Sequence, residues 1–168
     1  MKHLRSYRNL ALLAVLLFSL SSISGFIVAN YMPLIESGND LINHKGSLRL
    51  AIDLFFNNIK VCIILMLGLF TFAIPTIFYL VFNGFFLGMG IKSLILVGLS
   101  SKEIAINLVP HAVLEIPAFL LAGIIGLNGL TFYFKPRIKL KPIFKISILV
   151  FILIFVAAMI EGLLSAAL

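Results

Sequence analysis

Long apolar runs separated by short polar intervals make up almost the whole sequence. The first run, Leu10 to Ala29, has 20 residues, enough to cross about 30 Å of hydrocarbon as a helix. Basic residues precede it, as in a secretory signal. The apolar character continues through the small residues 19–25 and beyond them. We therefore expect a retained signal-anchor helix rather than a cleaved signal.

The longest uncharged segment, from Val61 to Ile91, is too long for one membrane crossing. Its 31 residues would measure about 46 Å as a single helix, so the segment must turn or break. Pro75 would only kink a helix, whereas Asn83-Gly84 is a strong turn signal. We therefore place the turn at Asn83-Gly84, between a full span at 61–82 and a short span at 85–99.

The polar interval before that segment reads as a loop followed by an interfacial helical stretch near Leu48 to Phe56, whose apolar residues recur at helical spacing. The sequence thus predicts an all-α fold, a polytopic membrane helix bundle forming a single integral membrane domain over residues 1–168. About five transmembrane helices are expected, near residues 10–29, 61–82, 85–99, 104–127 and 146–168.

Basic residues are concentrated in two places, which predicts the orientation of the chain. Three precede the first span and five follow the fourth: Lys2, Arg5, Arg8, and then Lys135, Arg137, Lys139, Lys141 and Lys145. Short segments rich in Lys and Arg stay in the cytoplasm. We expect the N-terminus inside and, after an odd fifth span, the C-terminus outside.

Composition agrees with a multi-pass protein of the cell membrane. Of 168 residues, 62% are apolar and 11% charged, against about half and a quarter in a soluble domain. The net charge of +7 would suggest nucleic-acid binding in a soluble chain, but these basic residues lie at the ends of apolar spans. The expected partner is the lipid bilayer, and no nucleic acid is expected. The single cysteine, Cys62, excludes an intramolecular disulfide and a zinc site built on thiolate pairs.

Three polar residues of the fourth span, Asn107, His111 and Glu115, are spaced i, i+4, i+8 and lie along one side of a helix. A carboxylate near the middle of the membrane costs ~2.5 to 3.5 kcal/mol. Glu115 should therefore face the protein interior and have a partner, for which His111 is the nearest candidate.

Glu161 in the last span carries the same cost and should also point inward. One shared intramembrane polar cluster with Asn83 would remove most of the penalty. Such a cluster has two interpretations: a hydrogen-bonded latch between helices, or a path for a proton or substrate. If Glu161 does not join it, Glu161 marks a surface for another subunit.

Small residues recur at four-residue spacing and predict close helix packing in lipid. Gly84 and Gly88 form one row, and Ala118, Ala122 and Gly126 form another. We expect these rows to bring the third and fourth spans together around the cluster.

Candidate chemistry for an enzyme is missing from the sequence. The serines have no histidine nearby in sequence, and His111 with Glu115 supplies only two metal ligands. We expect no catalytic residues, no metal and no cofactor.

Several motifs follow one another in order along residues 57–162. They comprise Asn57, Asn58, Pro75, Asn83, Gly84, Gly88, Pro110, His111, Glu115, Pro117, Gly123, Gly126 and the run AAMIEG from Ala157 to Gly162. This order resembles the stage II sporulation protein M (SpoIIM) family. Where that family commonly has Gly after the His, this chain has Ala112.

The resemblance implies different roles in different branches of that family. In sporulation, members scaffold peptidoglycan-degrading partners; other short members accompany circular bacteriocin operons and are implied in maturation, export or immunity. We expect a non-enzymatic membrane subunit that packs with other membrane proteins or with its own copies. The alternative is a transport component that uses the His/Glu cluster as its path.

Overall fold

The computed structural model describes residues 2–32, 48–134 and 140–164, and these residues are almost entirely helical. A turn of 3-10 helix (Ala29–Tyr31) extends the first long helix, and a one-turn helix (Gly129–Phe132) follows the fourth. The long helices in the described ranges are α1 (Lys2–Val28), α2 (Leu48–Leu67), α3 (Ile74–Leu96), α4 (Ser101–Leu127) and α5 (Leu140–Leu164). Each provides a segment long and apolar enough to cross a membrane, which confirms the predicted all-α, five-span membrane bundle.

The turn between the second and third spans comes earlier than the sequence predicted. It occupies residues 68–73, and α3 runs unbroken through Asn83-Gly84. Pro75 is the second residue of α3, where its missing N–H costs no helical hydrogen bond. The Asn83 side chain donates to the Tyr79 carbonyl oxygen (2.7 Å), one turn back in the same helix. The predicted break at Asn83-Gly84 is therefore wrong, and α2 and α3 replace the predicted second and third spans.

Two hydrogen bonds across the turn, one from the backbone and one from a side chain, hold it closed. Phe72 and Ala73 adopt left-handed backbone angles, with φ of 52° and 62°. The Ala73 N–H donates to the Gly68 carbonyl oxygen (2.8 Å), and the buried Thr76 hydroxyl donates to the Leu65 carbonyl oxygen (2.7 Å). Residues other than glycine rarely take left-handed backbone angles, so a turn at Phe72 and Ala73 is hard to predict from the sequence.

The stretch 48–56, expected to lie at the membrane interface, is instead the first half of α2. At 1.5 Å per residue, this 20-residue helix is about 30 Å long, enough to cross the hydrocarbon. The correction moves Asp53, Asn57 and Lys60 from a predicted loop region into a membrane-spanning helix.

Helix α4 lies at the centre of the bundle and contacts each of the other four long helices. Half of its apolar segment is buried, compared with 22% for each of the others. α1 packs most extensively on α3, and α5 packs on α2 and α4. Gly84 of α3 lies against Phe18 of α1, and Gly88 lies one turn further along against Ser22, so α1 and α3 run parallel. Their common direction is what two crossings separated by a single return crossing require.

The link between α3 and α4 ends in a capping box that starts α4. Ser100 accepts a hydrogen bond from the Glu103 N–H, and the Glu103 carboxylate accepts from the Ser100 N–H (2.8 Å) and hydroxyl (2.7 Å). The hydrogen bond from the Ser100 hydroxyl lowers the pKa of Glu103 most, and the one from the Ser100 N–H lowers it further. This exchange satisfies N–H groups that the first turn of a helix otherwise leaves without a partner.

Aromatic side chains join the turn after α2 to the end of α4. The Tyr133 hydroxyl donates to the Phe70 carbonyl oxygen (2.6 Å), and its ring stacks on Phe72 with centroids 4.5 Å apart. Phe70 also contacts Phe132 edge to face. These contacts thus form an uncharged aromatic patch, which is followed in sequence by the basic segment 135–145.

The orientation of the termini stays a prediction and has a direct test. A reporter enzyme active only outside the cytoplasm should be active when fused after Leu168 and silent when fused within residues 135–141, because the basic residues there hold that segment inside. The opposite pattern would contradict the five-span orientation.

Candidate functional site

A hydrogen bond between two membrane-spanning helices lies at the centre of the polar interior. The side-chain amide of Asn58 in α2 donates to a carboxylate oxygen of Glu115 in α4. Asn58 is only 9% exposed, and Glu115 is partly buried. A carboxyl group and an amide in hydrocarbon each need a hydrogen-bond partner. Here the amide of Asn58 is the donor and the carboxyl group of Glu115 is the acceptor.

Two further groups lie beside this pair. Cys62, one helical turn after Asn58, is fully buried and close enough to Glu115 to interact with it electrostatically. The carboxyl group of Glu161 in α5 lies in the neighbourhood of that of Glu115. We call Asn58, Cys62, Glu115 and Glu161 the interior cluster. It joins α2, α4 and α5, three helices that also pack on one another.

Asn83 lies on the other side of Glu115. The two residues line one small cavity of about 80 Å³ between α1, α3 and α4. This volume has room for a water molecule, whose share of the liquid is about 30 Å³. The rest of the lining is apolar: Phe18, Leu87, Leu108, Ala112, Ile116 and Phe119.

The structure does not describe the side chains of three predicted site residues: Asn107, Pro110 and His111. The expected pairing of His111 with Glu115 therefore stays a prediction. Pro117, a fourth motif residue of the same helix, is exposed.

The glycine rows pack tightly, but not on the predicted partners. A Cβ on Gly84 would collide with Ser21 and the Phe18 backbone, and one on Gly88 with the Ser22 carbonyl oxygen. These glycines thus seat α1 on α3, and the expected packing on Ala118 and Ala122 is wrong.

The small residues of α4 allow it to pack closely on α2 and α3. Ala118 and Ala122 are fully buried. Gly123 faces Leu80 of α3, and a Cβ on Gly126 would collide with the Leu65 carbonyl oxygen of α2. The rows serve close packing, as predicted, with a different assignment of partners.

The outer face of α2 carries a second set of polar side chains. Arg49, Asp53, Asn57 and Lys60 are all exposed, and their spacing of four, four and three residues places them along one side of the helix. We call these four residues the α2 stripe. Asn57 and Asn58, adjacent in sequence, thus point to opposite environments.

Sequence reasoning missed both roles of α2. Asn58 was seen as a motif residue but not as the partner of Glu115, and the stripe residues were placed ahead of a span. One signal was available: Asn58, Cys62 and Leu65 recur at i, i+4, i+7, the spacing of a buried helix face, and all three are buried.

The groups of the interior cluster can exchange hydrogen bonds and protons. Its groups are one amide, one thiol and two carboxyls. Within the described residues, no three His, Cys, Asp or Glu side chains come together as metal ligands.

Comparisons with known proteins point to one family. The model of the stage II sporulation protein M family matches residues 14–166. An uncharacterized protein of the archaeon Methanocaldococcus jannaschii is 34% identical over 161 residues, which cover 89% of this chain and 90% of that protein. No solved structure matches.

Proposed function

Because the chain belongs to the stage II sporulation protein M family, we propose that it is a non-enzymatic subunit of the cell membrane that assembles with other membrane proteins. The observation that carries this proposal is the α2 stripe, a row of exposed polar side chains on a helix long enough to span the membrane. The role would be that of a scaffold in a cell-envelope complex, or a maturation or immunity role beside a bacteriocin.

The energetic cost of exposing the α2 stripe to lipid supports the presence of a partner protein. A lysine near the middle of a membrane helix costs ~2.5 to 3.5 kcal/mol on insertion scales, and Lys60 is the thirteenth of the 20 residues of α2. Charged residues at such depth almost always face protein or water rather than lipid. A neighbouring protein that covers the stripe would remove the cost.

The interior cluster supports a structural role for the buried polar groups. Among the described residues, every buried side-chain nitrogen and oxygen has a hydrogen-bond partner. The Asn58 amide donates to Glu115, and a carboxyl oxygen accepts that bond whether or not the group carries a proton. We therefore interpret the Asn58–Glu115 pair as a latch that fixes the register of α2 and α4.

Lys60→Leu tests whether the chain assembles. We expect the wild-type chain, extracted in native nanodiscs, to lie in a particle that contains more protein than the 18.5 kDa of one chain. Lys60→Leu should shrink that particle while accumulation stays normal or rises, since leucine is favourable in lipid. Sizing of the particles, with immunoblotting for the chain, gives both values.

Ile23→Leu is the matched control, because Ile23 is also an exposed side chain but lies on α1, outside the α2 stripe. It should leave both particle size and accumulation unchanged. A wild-type chain that occurs alone in its particles would contradict the proposal.

The cavity beside Glu115 favours one alternative, a transport component. Asn83 and Glu115 face it from two helices, and water there would give Glu115 a route for proton exchange. The alternative requires the Glu115 carboxyl group itself, whereas the latch needs only an oxygen acceptor. Substitution of Glu115 therefore separates them, as argued in the Discussion.

A further inference from the structure

The α2 stripe has an ordered charge pattern. From the start of the helix its residues are basic, acidic, neutral and basic: Arg49, Asp53, Asn57 and Lys60. Apolar side chains flank it, and Phe56 and Ile63 are 54% and 49% exposed. The surface thus combines apolar contact area with charges at fixed heights.

The depth of Lys60 excludes an easy escape to water. With 1.5 Å per residue, Lys60 lies about 18 Å from the Leu48 end of α2 and about 10 Å from the Leu67 end. Its four-carbon stem is too short to cover either distance. Asp53 lies about 7 Å from the Leu48 end, two helical turns from Lys60.

The stripe of a second copy does not match this pattern. Two copies that paired through their stripes would be related by a two-fold axis along the membrane normal, which places identical residues at identical depth. Lys60 would then meet Lys60, and Asp53 would meet Asp53. Like charges that meet in a dry interface oppose association.

We propose that the α2 stripe docks a transmembrane helix of another protein, which carries Asp or Glu at the depth of Lys60 and Lys or Arg at the depth of Asp53. This inference rests on the proposed function and names the chemistry of the partner. Two charge pairs about 10 Å apart fix the register of the two helices. Asn57, at intermediate depth, has both donors and an acceptor for a polar residue of that helix.

Synthetic helices test the pattern directly. Three labelled leucine-rich transmembrane peptides would be added to the labelled full-length protein in phosphatidylcholine vesicles, with association followed by energy transfer. The matched peptide has Glu at its centre and Arg seven residues nearer one end. The reversed peptide exchanges these two residues, and the neutral peptide has Gln at both positions.

The matched peptide should bind at least about tenfold more tightly than the reversed peptide, with the neutral peptide between them. The double variant Asp53→Lys, Lys60→Glu should invert the order, and its helix content by circular dichroism should equal that of the wild type. Ile23→Leu, at an exposed position of α1 outside the stripe and its flanks, should leave the order unchanged.

Three results would overturn the inference. Equal affinity for all three peptides would mean that charge does not select the partner, and absence of binding would mean that the stripe does not dock such a helix. Energy transfer between copies of the protein that Lys60→Leu removes would assign the stripe to a second copy. Each of these leaves the particle-size test intact, so failure of the charge pattern is distinguishable from failure of the proposed function.

Discussion

Gly88→Val should prevent stable folding of the bundle, because α1 and α3 touch through their backbones at this point. A Cβ on Gly88 would collide with the Ser22 carbonyl oxygen, and a backbone atom cannot move aside as the end of a side chain can. Overpacking of this kind costs about 1 to 3 kcal/mol or more. The measurements are the amount of protein in the membrane and its unfolding temperature in detergent.

Gly90→Val is the control on the same helix, since a Cβ at Gly90 would have no neighbour within 4 Å. Both variants place a β-branched residue in α3, so their difference reports the contact with α1 alone. We expect Gly90→Val to accumulate close to the wild-type level. Equal losses in the two variants would contradict the close approach of α1 and α3.

Glu115→Leu should destabilise the protein because it leaves the buried side-chain amide of Asn58 without an acceptor. It removes the acceptor of the Asn58 amide, and an unpaired buried polar group costs about 1 to 3 kcal/mol. Glu115→Gln keeps an oxygen acceptor and should keep most of the accumulation. The amount of folded protein in the membrane, by fluorescence of a fused reporter, separates the two variants.

The double variant Asn58→Leu, Glu115→Leu extends this test. Replacement of both partners by apolar groups can be nearly neutral, so we expect it to recover part of what Glu115→Leu loses. If Glu115→Gln instead abolishes the biological activity at normal protein levels, the carboxyl group is needed for proton or substrate transfer. That result would replace the latch with the transport alternative.

The span count could be predicted from the sequence because length and hydropathy are local properties. The turn position could not. Asn83-Gly84 has the composition of a turn, yet Gly84 is needed for contact with α1, and Asn83 satisfies its own amide within α3. The actual turn depends on the bond from Thr76 to Leu65, which exists only after the chain has reversed.

The site shows the same limit. The cost of a buried carboxyl group drew attention to Glu115 and Glu161. The hydrogen-bond partner of Glu115, however, is Asn58, which lies 57 residues away in sequence. That pairing depends on the register between α2 and α4, which side-chain spacing in one helix does not contain. The misplaced break also hid the α2 stripe, because it left Asp53 and Asn57 outside any span.

The turn at residues 68–73 also bears on how the chain enters the bilayer. No charged residue occurs from Val61 to Ile91, and the Leu65 and Phe70 carbonyl groups at the turn accept hydrogen bonds from Thr76 and Tyr133. The contact with Tyr133 places this turn at the end of the bundle where the basic segment 135–145 begins, so in the predicted orientation the turn stays on the cytoplasmic side and need not cross the hydrocarbon. We expect the links after α1 and after α3 to be the ones that cross during biogenesis. The basic segments before α1 and after α4 then decide the direction of insertion.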